Sequence, residues 1–374
     1  MDVKEQLGRL REKIDCIDDQ IIELFKERMA VALQTGELKT SNNLSIVDEE
    51  REQQAVNRVM AGIDQSLAGE AALLLRSIIA LSREYQRKSL FNGESPLLPG
   101  PREPKRENIT CAHQGVPGAW SEEALIKVFP EAGKLAVEAF EDVFLAVKDK
   151  RADYGVVAIE NSRTGAIGET YDLLRKYGCF IVGKTHVHSR HCLLAPAGVK
   201  IGDIREVLSH PEAFRQCRKF LKDRAWDLVA CRNTAMAAEA ASKSTNGRTA
   251  AIGSRRAAEL NGLNVLAEDI MDDPNNRTSF VVIALEPEYD KSSNAVSITF
   301  ATPHRSGALC EALLPLMAMG INLMRIESRP AAMGNYRFFV DLEGNIEDQA
   351  IQLALGQAAS ICEYLEVTGC YRND

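Results

Sequence analysis

Residues 7–38 read LGRLREKIDCIDDQIIELFKERMAVALQTGEL, and their spacing decides the first third of the fold. Leu7, Leu10, Ile14, Ile17, Ile21 and Leu24 recur three and four apart, the seam of a long helix packed on other helices. The same period continues through Arg28, Val31, Thr35 and Leu38. It predicts a helix over about residues 4–40, roughly 55 Å long at about 1.5 Å per residue. A single helix of that length cannot bury its own stripe, so it needs partners. Further helical stretches are expected at 48–63 and 68–90. No proline occurs before residue 96.

Outward from that helix the texture changes twice. Residues 92–107, NGESPLLPGPREPKRE, carry four prolines and read as a linker. From residue 108 to about 286, short apolar runs such as YGVVAIE (154–160) and CFIVGKTHV (179–187) alternate with helical stretches such as EEALIKVF and EAFRQCRKFL, an α/β pattern. Residues 293–374 read strand–helix–strand–strand–helix–strand, the ferredoxin-like order. The expected division is therefore 1–91, 92–107, 108–286 and 293–374.

Composition narrows the function. The chain has 374 residues, 45% hydrophobic and 26% charged, with a net charge of -8. That acidity argues against a nucleic-acid partner but leaves room for small anions. No apolar run approaches the ~20 residues that span a bilayer, and the charged N-terminus lacks the apolar core of a secretory signal. Nine cysteines without a C-x-x-C pair fit reduced thiols in a cytoplasmic protein. His186, His188 and His191 lack companion ligands at metal spacing. Neither a phosphate-binding loop nor a dinucleotide fingerprint is present. No metal and no cofactor are expected.

The candidate residues fall in three sets. Arg28 lies on the apolar seam, where it either snorkels to solvent, pairs with an acid, or awaits an anionic ligand. Lys39, eleven residues on, shares its face, being about 20° further round the helix. Arg11 is about 25 Å from Arg28 along the axis and cannot join the same small site from one helix. An antiparallel second copy could supply it. Asp48 with Glu52, and Ser82 with Gln86, are i, i+4 pairs. Together, LREKID-x-ID-x-x-I-x-x-L-x-x-ER (10–28), Lys39, D-x-x-RE (48–52) and S-x-x-x-Q (82–86) resemble the all-helical chorismate mutase domain. The resemblance implies a pericyclic rearrangement of chorismate to prephenate, which needs a fixed conformer and charge stabilisation rather than a nucleophile. It further implies Arg11 of a partner chain and Arg28 on the carboxylates, and Lys39 and Gln86 on the ether oxygen. Glu52, protonated beside Gln86, and Asp48 hold the hydroxyl side in that reading, and Ser82 assists.

The second set lies where strands end: AIENSRTGAIGETYDLL (158–174), SHPEAFRQC (209–217) and DDPNNRTSFVVI (272–283). Singly they are turn and cap residues. Together with HQGVPGAWS (113–121) and TAAIGSRRAAELNGLNVLAEDI (249–270) they resemble the prephenate dehydratase domain, two α/β lobes around a cleft like a periplasmic binding protein. The resemblance implies that Thr278 donates a proton to the departing ring hydroxyl as carbon dioxide leaves. It places Glu160, Asn161, Ser209, Gln216 and Thr234 in the cleft. One departure stands out: the family reads T-R-F where this chain reads Thr278-Ser279-Phe280. Arg277 shares a strand face with position 279 and is the expected substitute.

The third set is Gly307, Ala308 and Leu309 at a helix start, with Asn322, Glu327, Ser328 and Arg329. A glycine at a helix N-terminus suits a carboxylate ligand. GALCEAL (307–313) and IESRP (326–330) resemble the ACT domain of prephenate dehydratases, whose ligand is phenylalanine. The expectation is a homodimeric or larger three-domain enzyme of phenylalanine biosynthesis: mutase, dehydratase and a sensor of L-phenylalanine. The alternatives are a mutase with a weakened dehydratase, arogenate as second substrate, and a noncatalytic amino-acid-responsive binding protein.

Overall fold

The computed structural model describes residues 3–42, 44, 48–90, 98–105, 107–330 and 336–373. The chain forms two compact units: Met1–Pro96 with Arg305–Pro315 and Leu355–Glu363, and Leu97–His304 with Leu316–Ala354 and Tyr364–Asp374.

The first unit begins with α1 (Val3–Ser41), α2 (Glu49–Ala61) and α3 (Ala68–Leu90). The long helix runs 39 residues, within two residues of the expected bounds. α3 packs against both α1 and α2. Asp48 caps α2 by accepting from the Arg51 backbone N–H at 3.1 Å, which satisfies an otherwise orphaned donor. The seam residues Leu7, Leu10, Ile14, Ile17, Ile21 and Leu24 stay 47–65% exposed. The stripe that the sequence demands be covered is thus uncovered within one chain.

The second unit is built on two sheets. Its first lobe comprises β1 (Thr110–Gln114), α4 (Trp120–Val128), β2 (Gly133–Val137), α5 (Phe140–Lys148), β3 (Tyr154–Asn161), β4 (Gly165–Ala166), α6 (Gly168–Tyr177) and β5 (Phe180–His188). The second lobe follows as β6 (Cys192–Ala195), β7 (Glu206–Ser209), α7 (Pro211–Gln216), α8 (Arg218–Leu221), β8 (Asp227–Ala230), α9 (Thr234–Ser242), β9 (Thr249–Gly253), α10 (Arg255–Leu260) and β10 (Asn264–Ala267), in sheet order β10-β6-β9-β7-β8. The chain then returns to the first lobe as β11 (Arg277–Ala284), antiparallel to β3 and β5. EAFRQCRKFL, expected as one helix, is two. The Gln216 carbonyl accepts from Asp272 N at 2.7 Å and the Asp272 carboxylate caps Lys219 N at 2.9 Å. These contacts break the helical ladder at Cys217. Burial pushes the Cys217 thiol up to about 12, consistent with a core filler.

The last elements are β12 (Ala295–Ala301), α11 (Ala308–Ala318), β13 (Leu323–Pro330), β14 (Tyr336–Glu343), α12 (Gln349–Ile361) and β15 (Tyr364–Tyr371), the order read from the sequence. Their strands do not form a sheet of their own. β15 runs parallel beside β5, giving one sheet ordered β13-β14-β12-β15-β5-β11-β3-β1-β2, with β4 on β3. Gly369 permits the approach: a Cβ there would stand 2.3 Å from the Ile181 carbonyl oxygen. Ala295, Phe339 and Tyr371 lie in the same apolar cluster as Val157, Tyr171 and Ile181. Of the expected linker, residues 92–97 and 106 lie outside the described residues, while 98–105 are fastened to the first lobe. Arg102 N donates to the Pro287 carbonyl at 2.8 Å, and Lys105 pairs with Asp153 at 2.7 Å.

The shared core makes removal of the last 80 or so residues costly. Losing Phe339 and Tyr371 alone forfeits about 3–5 kcal/mol each, against a typical domain stability of about 5–15 kcal/mol. A chain ending at residue 288 is expected to show neither cooperative thermal unfolding of the two-lobed region nor turnover. A sharp melting transition with turnover within twofold of the full chain would contradict the shared core.

Candidate active sites

In the helical unit, Arg28 donates to the Ser82 hydroxyl, and Gln86 donates through Nε2 to the Ala32 carbonyl. These contacts place Arg28, Ser82 and Gln86 at one α1–α3 junction, with Ser82 and Gln86 buried. Burial lowers the Arg28 pKa, the electrostatic sign of a cation partly stripped of water. Glu52 makes a two-point contact with Arg83, 2.8 Å through Nε. In this structure the Glu52 carboxyl thus faces Arg83, where a contact with Gln86 was expected. Arg83 was missed, although its position three residues before Gln86 puts it near the same helix face. Asp48 is exposed at its cap, and Arg11 is exposed on α1.

Between the lobes of the second unit lies a cavity of about 320 Å³, within the range of small-ligand sites. Asn161, Gln216, Thr234 and Thr278 line it, together with Trp120, Ser121, His191 and Asn233. Asn161 ends β3 and Thr278 stands directly opposite it on β11. The Asn161 amide is oriented by its surroundings: Oδ1 accepts from the backbone N–H groups of Arg163 and Thr164 at 3.0 and 3.2 Å. Nδ2 then donates to Thr278 Oγ1 at 3.0 Å. Because that hydroxyl accepts from Asn161, its own proton is free to be given to something in the cleft.

The cleft also holds His191, one of the three histidines without companion ligands at metal spacing. It is 2% exposed, lines the cleft, and sits edge-on to Trp120 with ring centroids 5.6 Å apart. Its Nε2 lies 2.9 Å from Gln216 Oε1, while Gln216 Nε2 donates to Glu212 at 3.2 Å. A carboxylate accepts only, so the glutamine oxygen must face His191, and Nε2 of the ring carries the proton. Burial holds the His191 pKa below its ordinary value, so the ring is neutral near pH 7. Periodicity carried no signal for this residue, since the histidine and the glutamine come from separate elements.

Two expected cleft residues lie elsewhere. Ser209 is fully buried and donates to the Ile252 carbonyl at 2.8 Å, tying β7 to β9, and is not among the residues that line the cavity. Glu160 does not line the cavity, because neighbouring strand residues face opposite ways. It pairs across the ladder with Ser279, so both face away from Thr278. Arg277 shares that outward face and is exposed, so it does not reach the cavity either.

In the C-terminal elements, Gly307 has φ +81°, the left-handed region that favours glycine. A Cβ there would find only Glu311 Oε1, at 4.0 Å. The backbone angle, rather than crowding, calls for glycine. Ala308 is buried, Leu309 half-buried, and Asn322 donates to Glu343 at 3.1 Å. Ser328 faces opposite to Glu327 and Arg329 along β13. The Arg329 guanidinium lies against Gly168 and pairs with Asp172 at 3.3 Å. Among the described residues no three metal-binding side chains gather, and no helix is long and apolar enough to cross a membrane.

Comparison with known proteins agrees with this architecture. The chorismate mutase type II family pattern matches residues 10–87 and the prephenate dehydratase pattern matches residues 111–288. Helical unit, two-lobed cleft and matched patterns define an enzyme carrying a mutase and a lyase activity on one chain. A bifunctional chorismate mutase/prephenate dehydratase of Neisseria gonorrhoeae is 33% identical over 374 residues, covering 99% of this chain and 98% of the relative. This chain belongs to the bifunctional chorismate mutase/prephenate dehydratase family, converting chorismate to prephenate and prephenate to phenylpyruvate. Arogenate dehydratase/prephenate dehydratase 1, chloroplastic, of Arabidopsis thaliana is 35% identical over 322 residues, 79% of this chain and 82% of the relative. A solved prephenate dehydratase from Arthrobacter aurescens in complex with L-Phe shares 29% identity with a TM-score of 0.66, covering 71% of this chain and 90% of that one.

Proposed function

We propose that Thr278 is the proton donor of the dehydratase step, and the Asn161–Thr278 contact carries this reading. The bond from the ring to its carboxylate breaks, and its electron pair enters the ring and makes it aromatic. The C–O bond at the opposite ring carbon breaks in turn. The departing oxygen takes the Thr278 proton and leaves as water, and solvent reprotonates the threonine. Asn161 holds the hydroxyl in its donating orientation, while Gln216 and Thr234 bind the substrate. Prephenate is the substrate assigned; preferential turnover of arogenate would instead align the chain with the Arabidopsis relative.

The mutase site is completed by a second copy. Arg28, Lys39, Asp48, Glu52, Ser82 and Gln86 come from one chain, and Arg11 comes from the partner. The uncovered α1 stripe supports a helical dimer interface. At the other end of the chain, β13 is a sheet edge with Met324 and Ile326 exposed, a second apolar surface suited to self-association. Residues 293–374 act as an ACT-type, ferredoxin-like sensor, and the enzyme works in the cytoplasm. Gly307, Ala308, Leu309, Asn322, Glu327 and Ser328 would serve L-phenylalanine as a feedback effector. Arg329, paired with Asp172 at 3.3 Å in this structure, would join that set.

Calorimetric titration of the intact enzyme with L-phenylalanine tests the sensor. Binding and inhibition of phenylpyruvate formation are expected. Both are expected to vanish in Gly307→Val, since a β-branched residue is strained at φ +81°, with mutase activity retained as the sign of a folded chain. Unaltered binding by that variant would place the effector elsewhere.

A further inference from the structure

Glu160 and Ser279 face each other on the outer side of the β3–β11 ladder, one residue from Asn161 and Thr278 respectively. The family arginine missing at 279 would therefore have pointed at Glu160, away from the substrate. The cation that Glu160 meets comes instead from β13: Arg325 Nη1 approaches Glu160 Oε2 at 3.9 Å. Arg325 is firmly held. Its Nη2 contacts Asp341 at 3.0 Å, and its guanidinium lies 4.9 Å over the Tyr171 ring. Asp341 in turn accepts from Ser297 Oγ at 2.6 Å and Lys184 Nζ at 3.3 Å. Two cations and two carboxylates thus balance in a largely buried cluster. Among the described residues the Nε and Nη1 groups of Arg325 have no hydrogen-bond partner, and Nη1 faces the Glu160 carboxylate.

We infer that Arg325 is a positioning residue for the dehydratase reaction: its charge holds Glu160, and with it the end of β3 from which Asn161 orients Thr278. A β13 residue thereby stands in for the cation that Ser279 does not provide. An unpaired Glu160 would be free to turn toward solvent, loosening the last residue of the strand. The inference rests on Asn161 and Thr278 forming the reacting end of the cleft.

The test uses the full-length enzyme, with mutase activity and thermal melting as controls for folding. Arg325→Gln is expected to lower dehydratase kcat about tenfold or more, the scale of a small misplacement of a catalytic group, with KM changed little. Adding Ser279→Arg is expected to restore most of the lost kcat, because the new guanidinium lies across the ladder from Glu160. If the glutamine variant fails to fold, Arg325→Lys serves instead: because it keeps the charge it should retain most of the parent kcat, and a folded lysine variant as slow as the Thr278→Val enzyme overturns the inference. A folded Arg325→Gln enzyme with kcat within twofold of the parent overturns the inference. So does failure of Ser279→Arg to rescue, whereas failure of the underlying assignment would show separately as an unaffected Thr278→Val enzyme.

Discussion

Thr278→Val lowers kcat for phenylpyruvate formation from prephenate by about 10²-fold or more. The substitution is nearly isosteric and removes only the hydroxyl whose proton Asn161 leaves free. Loss of a positioned proton donor or charge-stabilising group costs roughly this much. The chorismate mutase rate of the same protein stays unchanged, because the arginines and polar residues assigned to it lie in the helical unit. Steady-state assays with each substrate separate the two effects. Unchanged phenylpyruvate formation would remove Thr278 from the chemistry.

The second large effect concerns the mutase. Arg11→Ala and Arg28→Ala are each expected to lose at least about 10²-fold in mutase turnover, since each removes a cation from a dianion in a partly dry site. The two residues are about 25 Å apart on one straight helix, so one chain cannot bring both to one chorismate. Mixing the two inactive proteins under conditions of subunit exchange should restore about a quarter of the wild-type sites, because half the dimers are mixed and each holds one intact site. Demonstrated exchange without recovered activity would refute the shared site.

Particular residues show how much of this was legible in the sequence. α1 was read almost to its ends, because a three–four spacing sustained over ten positions has no other regular solution. Why its stripe is apolar was legible too, but not what covers it. The order of the last six elements was also readable. Their merging with the first lobe was not deduced, although AVSITFA (295–301) is buried at every position, the mark of a strand covered on both faces. The Asn161–Thr278 pair was reached through family likeness, since 117 positions separate the two residues and only the β3–β11 ladder joins them. Strand alternation alone should have separated Glu160 from Asn161; carrying a motif over as a block hid that. His191 and Arg83 were missed because each acquires its meaning from a partner on another element.

Chorismate supplied as the sole substrate to the purified chain, with prephenate and phenylpyruvate quantified over time, tests the coupled activities most directly. Prephenate is predicted to appear first and phenylpyruvate to follow at its expense, and Thr278→Val is predicted to halt the sequence at prephenate. Consumption of chorismate without any phenylpyruvate from the parent enzyme, or no consumption of chorismate at all, would contradict it.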